Sequence, residues 1–312
     1  MIRLGLCCTF REQPIKFVST TATAIGRMAR PEALAKLARL CAANAEALLA
    51  AIRFCADNNI GCFRINSQIL PLKTHPRDGY AMSDLPDGDA IIRRFQQAGE
   101  FAKQHSLRLC FHPDQFVVLN SQKPEVVTAS IHELEYQAEV AEWVGADVIN
   151  IHGGGAFGDK TQALADFAAN LPRLSSRVRS RLTVENDDIT YSPADLLPLC
   201  HAEGIPLVYD VHHHRVNPDE FSIEDATQQA LATWHREPLF HISSPLLGWE
   251  GLGPRRHHDF IDISDFPPSW LTLDLTVEIE AKAKEVAVLA LQKALNDLIP
   301  VHTLRPSADK VG

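Results

Sequence analysis

Residues 107–152 read LRLCFH (107–112), the connection PDQFVVLNSQ (113–122), KPEVVTASIHELEYQAEVAEWVG (123–145) and ADVINIH (146–152). A short apolar run ending in His112 is followed by a longer segment that opens at Pro124 and stops at Gly145, and then by a second apolar run ending in His152. Proline in the first turn and glycine just past the last turn mark a helix, so the stretch reads as strand, helix, strand, the repeating unit of a parallel sheet.

The same alternation extends in both directions. Strands are predicted near 2–7, 61–65, 107–112, 146–152, 181–185, 206–210, 238–243 and 273–280, and helices near 31–58, 89–105, 124–144, 159–175, 193–203, 222–235 and 282–298. Eight strands separated by helices predict a (β/α)8 TIM barrel, and 312 residues with 46 % hydrophobic content can bury one large core. A single domain over 1–302 is expected, with a polar, disordered tail at 303–312. Long loops at 8–30 and 66–88, and a loop-like seventh connection, SSPLLGWEGLGPRRHHDFIDISDFPPSW, are expected to form the rim of a site.

The strand ends carry the chemistry. His112 closes LRLCFH, His152 closes VINIH, Glu185 closes LTVE, Asp210 closes LVYD, His241 lies in FHIS and Glu280 ends LTVEIE. In such a barrel the carboxyl ends of the strands converge on one face, so these six side chains would meet in one pocket although they are far apart in the chain. A lone strand-end histidine is usually just a satisfied polar residue. Three apolar strands ending in carboxylates are harder to explain without a partner, because desolvating an unpaired charge is costly.

Imidazole and carboxylate without thiolate suit Mn²⁺, Zn²⁺, Fe²⁺ or Co²⁺, and carboxylates can bridge ions. A cluster of ions can acidify water, polarise a phosphoryl group and hold a leaving oxygen, which favours phosphodiester hydrolysis. Neither a G-x-S-x-G elbow nor a G-x-x-x-x-G-K-[ST] loop is present, and Gly153, Gly154 and Gly155 are read as letting the backbone pass close to metal or phosphate. The formal charge of −9 argues at first against nucleic acid. Three divalent ions would bring it to about −3, with the gain concentrated at the pocket, so charge does not decide.

The seven cysteines lack C-x-x-C spacing and are read as reduced core thiols, the adjacent Cys7 and Cys8 included. Met1 leads directly into a short strand, so neither a signal peptide nor a membrane span is expected, and the protein is expected in the cytoplasm.

Taken in order, IRLGLCC, FRINSQILPLKTHP, FHPDQF, NIHGGGAFGDK, LTVENDD, VYDVHHHRVNP, FHISSP, HHDF and EIEAKAKE resemble the ultraviolet-damage endonuclease family over most of the chain. The resemblance implies an α/β barrel holding about three divalent ions, commonly manganese with Mg²⁺, Co²⁺ or Zn²⁺ as alternatives. It implies nicking of damaged double-stranded DNA immediately 5′ to pyrimidine dimers and related lesions, leaving 3′-hydroxyl and 5′-phosphate ends. A bacterial-type monomer, associated with the nucleoid when on DNA, is expected.

Carried over by position, the resemblance gives as metal ligands His75, His112, His152, Glu185, Asp210, His213, His241, His258 and Glu280, with Glu185, Asp210, His241 and Glu280 at the centre of catalysis. Its register is open by one residue at His212–His214 and at His257–His258. Gln115 and Phe116 stand where the family has a Gln–Tyr pair thought to enter the duplex, and phenylalanine retains the stacking surface without the hydroxyl. The other reading of Phe116 is as core in QFVVL. Leu239 stands where some members carry a lysine that becomes a carbamate ligand, which leaves the ion count open. Arg64, Arg255, Arg256, Lys282 and Lys284 are candidate phosphate contacts. The rival readings are an abasic-site endonuclease, a sugar isomerase on a similar barrel, and a non-catalytic damage binder.

Overall fold

The computed structural model describes residues 2–298. Eight strands, β1 Ile2–Cys7, β2 Cys62–Ile65, β3 Arg108–Phe111, β4 Val148–His152, β5 Leu182–Glu185, β6 Leu207–Val208, β7 Leu239–Ile242 and β8 Leu275–Ile279, form one sheet in the order β6-β5-β4-β3-β2-β1-β8-β7. Every pairing is parallel. The ring is nearly closed: between β6 and β7 the join is a single parallel bridge, Asp210 to His241, with the His241 amide donating to the Tyr209 carbonyl at 3.0 Å. The described residues therefore form a single (β/α)8 barrel, as the alternation predicts.

The helices are α1 Ala22–Ile25, α2 Arg30–Asp57, α3 Gly88–Gln104, α4 Pro124–Val144, α5 Lys160–Asn170, α6 Ser176–Arg179, α7 Pro193–Glu203, α8 Val211–Val216, α9 Ile223–Ala232 and α10 Glu285–Leu298. Their ends follow local chemistry. Pro124 opens α4 and Gly145 closes it at φ 73°, while Ser192 and Asp195 form a capping box at the start of α7. The main core lies between the outer face of the strands and the helices and includes Leu37, Leu48, Phe95, Phe167 and Trp270. A smaller cluster, Cys62, Cys110, Val148, Val208 and Leu239, fills the barrel interior.

Three short helices, α1, α6 and α8, are not visible in the sequence pattern, because one or two turns are too short for a hydrophobic period to show. The strand predicted at 206–210 shrinks to two ladder residues, and Asp210, while still bridging to His241, also caps α8, its Oδ1 accepting the His213 amide at 2.8 Å. The seventh connection holds only the 3₁₀ turns Ile263–Asp265 and Pro268–Thr272. Asp265 braces it, accepting from Trp249 Nε1 at 2.7 Å and from the Ser244 hydroxyl, while Arg215 donates to its carbonyl at 3.0 Å. Six of the seven cysteines are buried, none is bridged, and Cys8 is partly exposed. No described helix is long and apolar enough to cross a membrane. The predicted tail at 303–312, with the end of the predicted domain, lies outside the described residues.

Candidate metal centre

The six strand-end residues do converge, and Glu185 is the hub. Its carboxylate is fully buried, with Oε2 2.9 Å from His112 Nε2, and with Oε1 3.1 Å from His241 Nδ1 and 3.3 Å from His213 Nδ1. Asp210 Oδ2 lies 3.5 Å from His213 Nδ1, and Glu280 Oε1 lies 3.5 Å from His241 Nδ1. The His152 ring stands 5.1 Å from that of His112 and 6.1 Å from that of His213. Three overlapping donor sets result, His112–His152–Glu185, His112–His241–Glu280 and Glu185–Asp210–His213, each with its ligand atoms within 4.8 Å of one another.

Whether these residues suit a metal is answered by their unsatisfied atoms. Glu185 Oε1, Asp210 Oδ2, His152 Nδ1 and His241 Nδ1 are buried without a well-formed hydrogen bond, Glu185 Oε1 and His241 Nδ1 standing 3.1 Å apart as an ion pair only. Native interiors rarely leave polar atoms so, and four on one cluster of oxygen and nitrogen donors are what shared cations would satisfy. The residues fit.

Electrostatics agree. Burial lowers the His152 pKa and keeps the ring neutral, the form that ligates. Burial also opposes charge on His241, but Glu185 beside it outweighs this and raises its pKa to about 10. His213 is likewise raised, against burial, by Asp210 and Glu185. Without ions, protons on these two imidazoles compensate the carboxylates; with ions, they must leave.

A supporting layer lies beneath. Along each strand, side chains two apart share a face, so Asn150, Glu278 and Leu239 point inward below His152, Glu280 and His241. Asn150 Nδ2 donates to Glu185 Oε2 at 2.5 Å and Thr183 Oγ1 donates to Asn150 Oδ1 at 3.0 Å. Glu278, 1 % exposed, lies 2.9 Å from His241 Nε2 and accepts from Arg64 Nε at 2.7 Å. Burial disfavours its charge, but Arg64 prevails and holds its pKa at about 2. Arg64 Nη2 also lies 3.0 Å from His241 Nε2, so Glu278 and Arg64 together hold the ring from beneath with Nδ1 turned toward Glu185 and Glu280. Sequence reasoning misses Asn150 and Glu278; their signal is a polar residue two positions before a strand-end ligand.

Several expected positions move. Arg64 does not reach the rim for phosphate: it is buried, 2.7 Å from Glu280 Oε1 and hydrogen-bonded to Glu278, because its strand position points into the barrel. At the histidine doublet it is His257 that faces the cluster, 3.9 Å from Glu280 Oε2 and ring to ring with His213 at 6.3 Å. His258 turns away, its Nδ1 accepting the Phe260 amide at 3.0 Å. His75 stands apart from the donor sets, with Nδ1 3.2 Å from Asp78 Oδ2, and lines a neighbouring cavity of about 610 Å³ that Phe116 also borders.

Phe116 is not core: it is 75 % exposed, while Val117 beside it is buried. Gln115 and Phe116 border a cavity of about 380 Å³ together with His112, His152, Glu185, His213 and Glu280. Arg255, Arg256 and Lys282 are exposed around this face and Lys284 is half-buried. Leu239 packs in the interior cluster and offers no ligand atom.

Fold and donor set together define a parallel α/β barrel with a candidate multi-metal centre at the carboxyl ends of its strands. The family model for UV-endonuclease UvdE matches residues 2–309. A protein of Bacillus velezensis named UV DNA damage endonuclease is 33 % identical, over 95 % of this chain and 93 % of its own. The crystal structure of SacUVDE superposes with a TM-score of 0.85 at 28 % identity, covering 96 % of this chain and 99 % of that one. Endonuclease IV from Thermus thermophilus, at 16 % identity and a TM-score of 0.59 over 95 % of this chain and 98 % of its own, shares the fold. The chain belongs to the UV-endonuclease UvdE family.

Proposed function

We propose that the chain is a metal-dependent UV-damage DNA endonuclease that hydrolyses the phosphodiester immediately 5′ to pyrimidine dimers and related distorting lesions, leaving 3′-hydroxyl and 5′-phosphate ends. The observation that carries this reading is the set of buried carboxylate and imidazole atoms, several without a well-formed hydrogen bond, converging beside the cavity that Gln115 and exposed Phe116 border. The three overlapping donor sets are compatible with about three ions, and Mn²⁺ is the ion that the family resemblance implies among those such donors suit. Divalent ions bound there supply acidified water and neutralisation of phosphoryl charge.

The chain's own residues do the rest. Glu185 links the donor sets, with His112, His152, Asp210, His213, His241 and Glu280 around it and His257 at the edge. Exposed Arg255, Arg256 and Lys282 fix the register of the backbone through its phosphates. Gln115 and Phe116 take the space of bases displaced at the lesion, which is energetically favoured there because a damaged step is already unstacked. Selectivity then follows deformability more than sequence. The protein acts as a monomer in the cytoplasm.

A duplex carrying one pyrimidine dimer, incubated with the protein and Mn²⁺, is expected to be cut once on the 5′ side of the dimer; no incision at any metal concentration overturns the assignment. Parallel reactions separate the rivals. Preference for an abasic duplex favours an abasic-site enzyme, and aldose turnover without DNA cleavage favours an isomerase. Lesion binding without cleavage, at fewer than two ions per chain, favours a damage binder.

A further inference from the structure

Among the described residues, the large apolar side chains most open to solvent are Phe116, Phe157, Ile189, Leu247, Leu252, Phe260 and Leu298. All but Leu298 sit on loops that follow β3, β4, β5 or β7, on the face that carries the candidate metal centre. Of these, Phe116 and Ile189 line the mouth of the metal cavity, where paired exposed apolar side chains mark a contact surface more than scattered ones do.

Ile189 is the most informative of them. It is 66 % exposed and borders the same cavity of about 380 Å³ as Phe116, His112, Glu185 and Glu280. Its loop is pinned. The Asp187 carboxylate accepts the backbone amides of Ile189 at 2.8 Å, of Thr190, and of Tyr191 at 3.1 Å. Asn217 Nδ2 donates to the Asp187 carbonyl at 3.1 Å, Tyr191 is fully buried, and Asp188 lies 3.5 Å from Arg255 Nε. A β-branched side chain with few rotamers is thus held out in water by a braced loop, at the entrance a substrate must pass.

We infer that Ile189 is a second apolar probe of the duplex, acting with Phe116 at the mouth of the metal cavity to pack against bases unstacked at the lesion. This deepens the endonuclease reading and rests on it. The occupant is a base face or sugar edge of distorted DNA, because isoleucine has no hydrogen-bonding group to read sequence and is among the side chains that wedge between base steps. Ile189 lies outside the donor sets, so it acts on recognition and not on the ions.

The test uses the full-length, metal-loaded protein and the variants Ile189→Ala and Ile189→Asp, each first checked for unchanged manganese content by elemental analysis. Binding is measured separately on dimer-containing and undamaged duplexes, and 2-aminopurine beside the dimer reports unstacking. Ile189→Ala is expected to weaken dimer binding roughly tenfold, the factor expected from losing part of a buried aliphatic side chain. Binding to undamaged duplex stays unchanged, and the 2-aminopurine signal falls. Ile189→Asp is expected to lose discrimination altogether, with KM rising while kcat on bound substrate holds. If both variants discriminate and unstack as the unaltered protein does, the inference is overturned. Since binding is read apart from cutting, an unaltered protein that binds the dimer without incising it would sink the endonuclease reading while still deciding the role of Ile189.

Discussion

The two ends of this barrel bury charge in opposite ways. At the amino ends of the strands, Arg3 meets Glu237 through two contacts of 2.9 and 3.1 Å, and Arg108 meets Asp147 through two of 3.0 and 2.9 Å while also donating to Thr276 Oγ1 at 3.1 Å. These forked pairs use planar guanidinium geometry, and each carboxylate finds its match within the chain. At the carboxyl ends, Arg64 serves Glu278 and Glu280, while Glu185 Oε1 and Asp210 Oδ2 lack a well-formed hydrogen bond. The amino end is not fully satisfied either, since Arg236 Nε and Nη2 beside Asp147 lack a hydrogen bond. Its open atoms, however, are donors on a cation, whereas those at the carboxyl end are carboxylate oxygens and imidazole nitrogens that an added cation can satisfy.

Perturbing each end should separate these roles. The largest effect is expected for Glu185→Gln, which keeps the shape of the hub and removes its charge: manganese binding and incision should fall by more than the ~10–100-fold that outer-shell changes cost. Metal titration and single-turnover cleavage check it. Glu278→Gln should reduce manganese affinity by roughly 10–100-fold without touching DNA, because His241 and Arg64 lose the carboxylate that orients them from beneath. Calorimetric titration in the absence of DNA would read this directly. Next, His257→Ala should lower metal affinity by roughly tenfold while His258→Ala leaves it unchanged; the reverse would restore the sequence register.

A pH effect follows from His241. Its pKa of about 10 in the metal-free fold exceeds the ~6.5 of an unfolded histidine, so its contribution to stability is full below pH ~6.5 and is lost as pH rises toward 10. The unfolding midpoint of chelated protein should drop over that window, and His241→Asn should flatten the drop. Manganese affinity should rise over the same window, as the competing proton leaves. At the opposite end, Asp147→Asn should cost about 1–3 kcal/mol of stability by leaving Arg108 underpaired, with manganese content and incision unchanged.

The contrast between the ends also explains what the sequence reveals. Long helices with capping residues and strands ending in His112, His152, Glu185, Asp210, His241 and Glu280 are legible because period and position are local properties of the chain. The family motifs extend that set to His213, which the fold brings beside Asp210 and Glu185. Arg64 is misread from sequence because a basic residue at a strand end looks the same whether it faces solvent or an acidic neighbour from β8. The His257–His258 choice turns on the antiparallel bridge of Pro245 to His257, a contact that no spacing rule contains. Asn150 and Glu278 gain meaning only once the inward face of the barrel is known, and α8 is hidden because Asp210 serves as both strand end and helix cap.

The weakest join in the barrel wall, the bridge between β6 and β7, is made by Asp210 and His241, two of the residues proposed to share ions. Cations gripping both would act as a clasp on the seam. Chelation would then loosen the wall, so that the same ions would set how long the fold lasts.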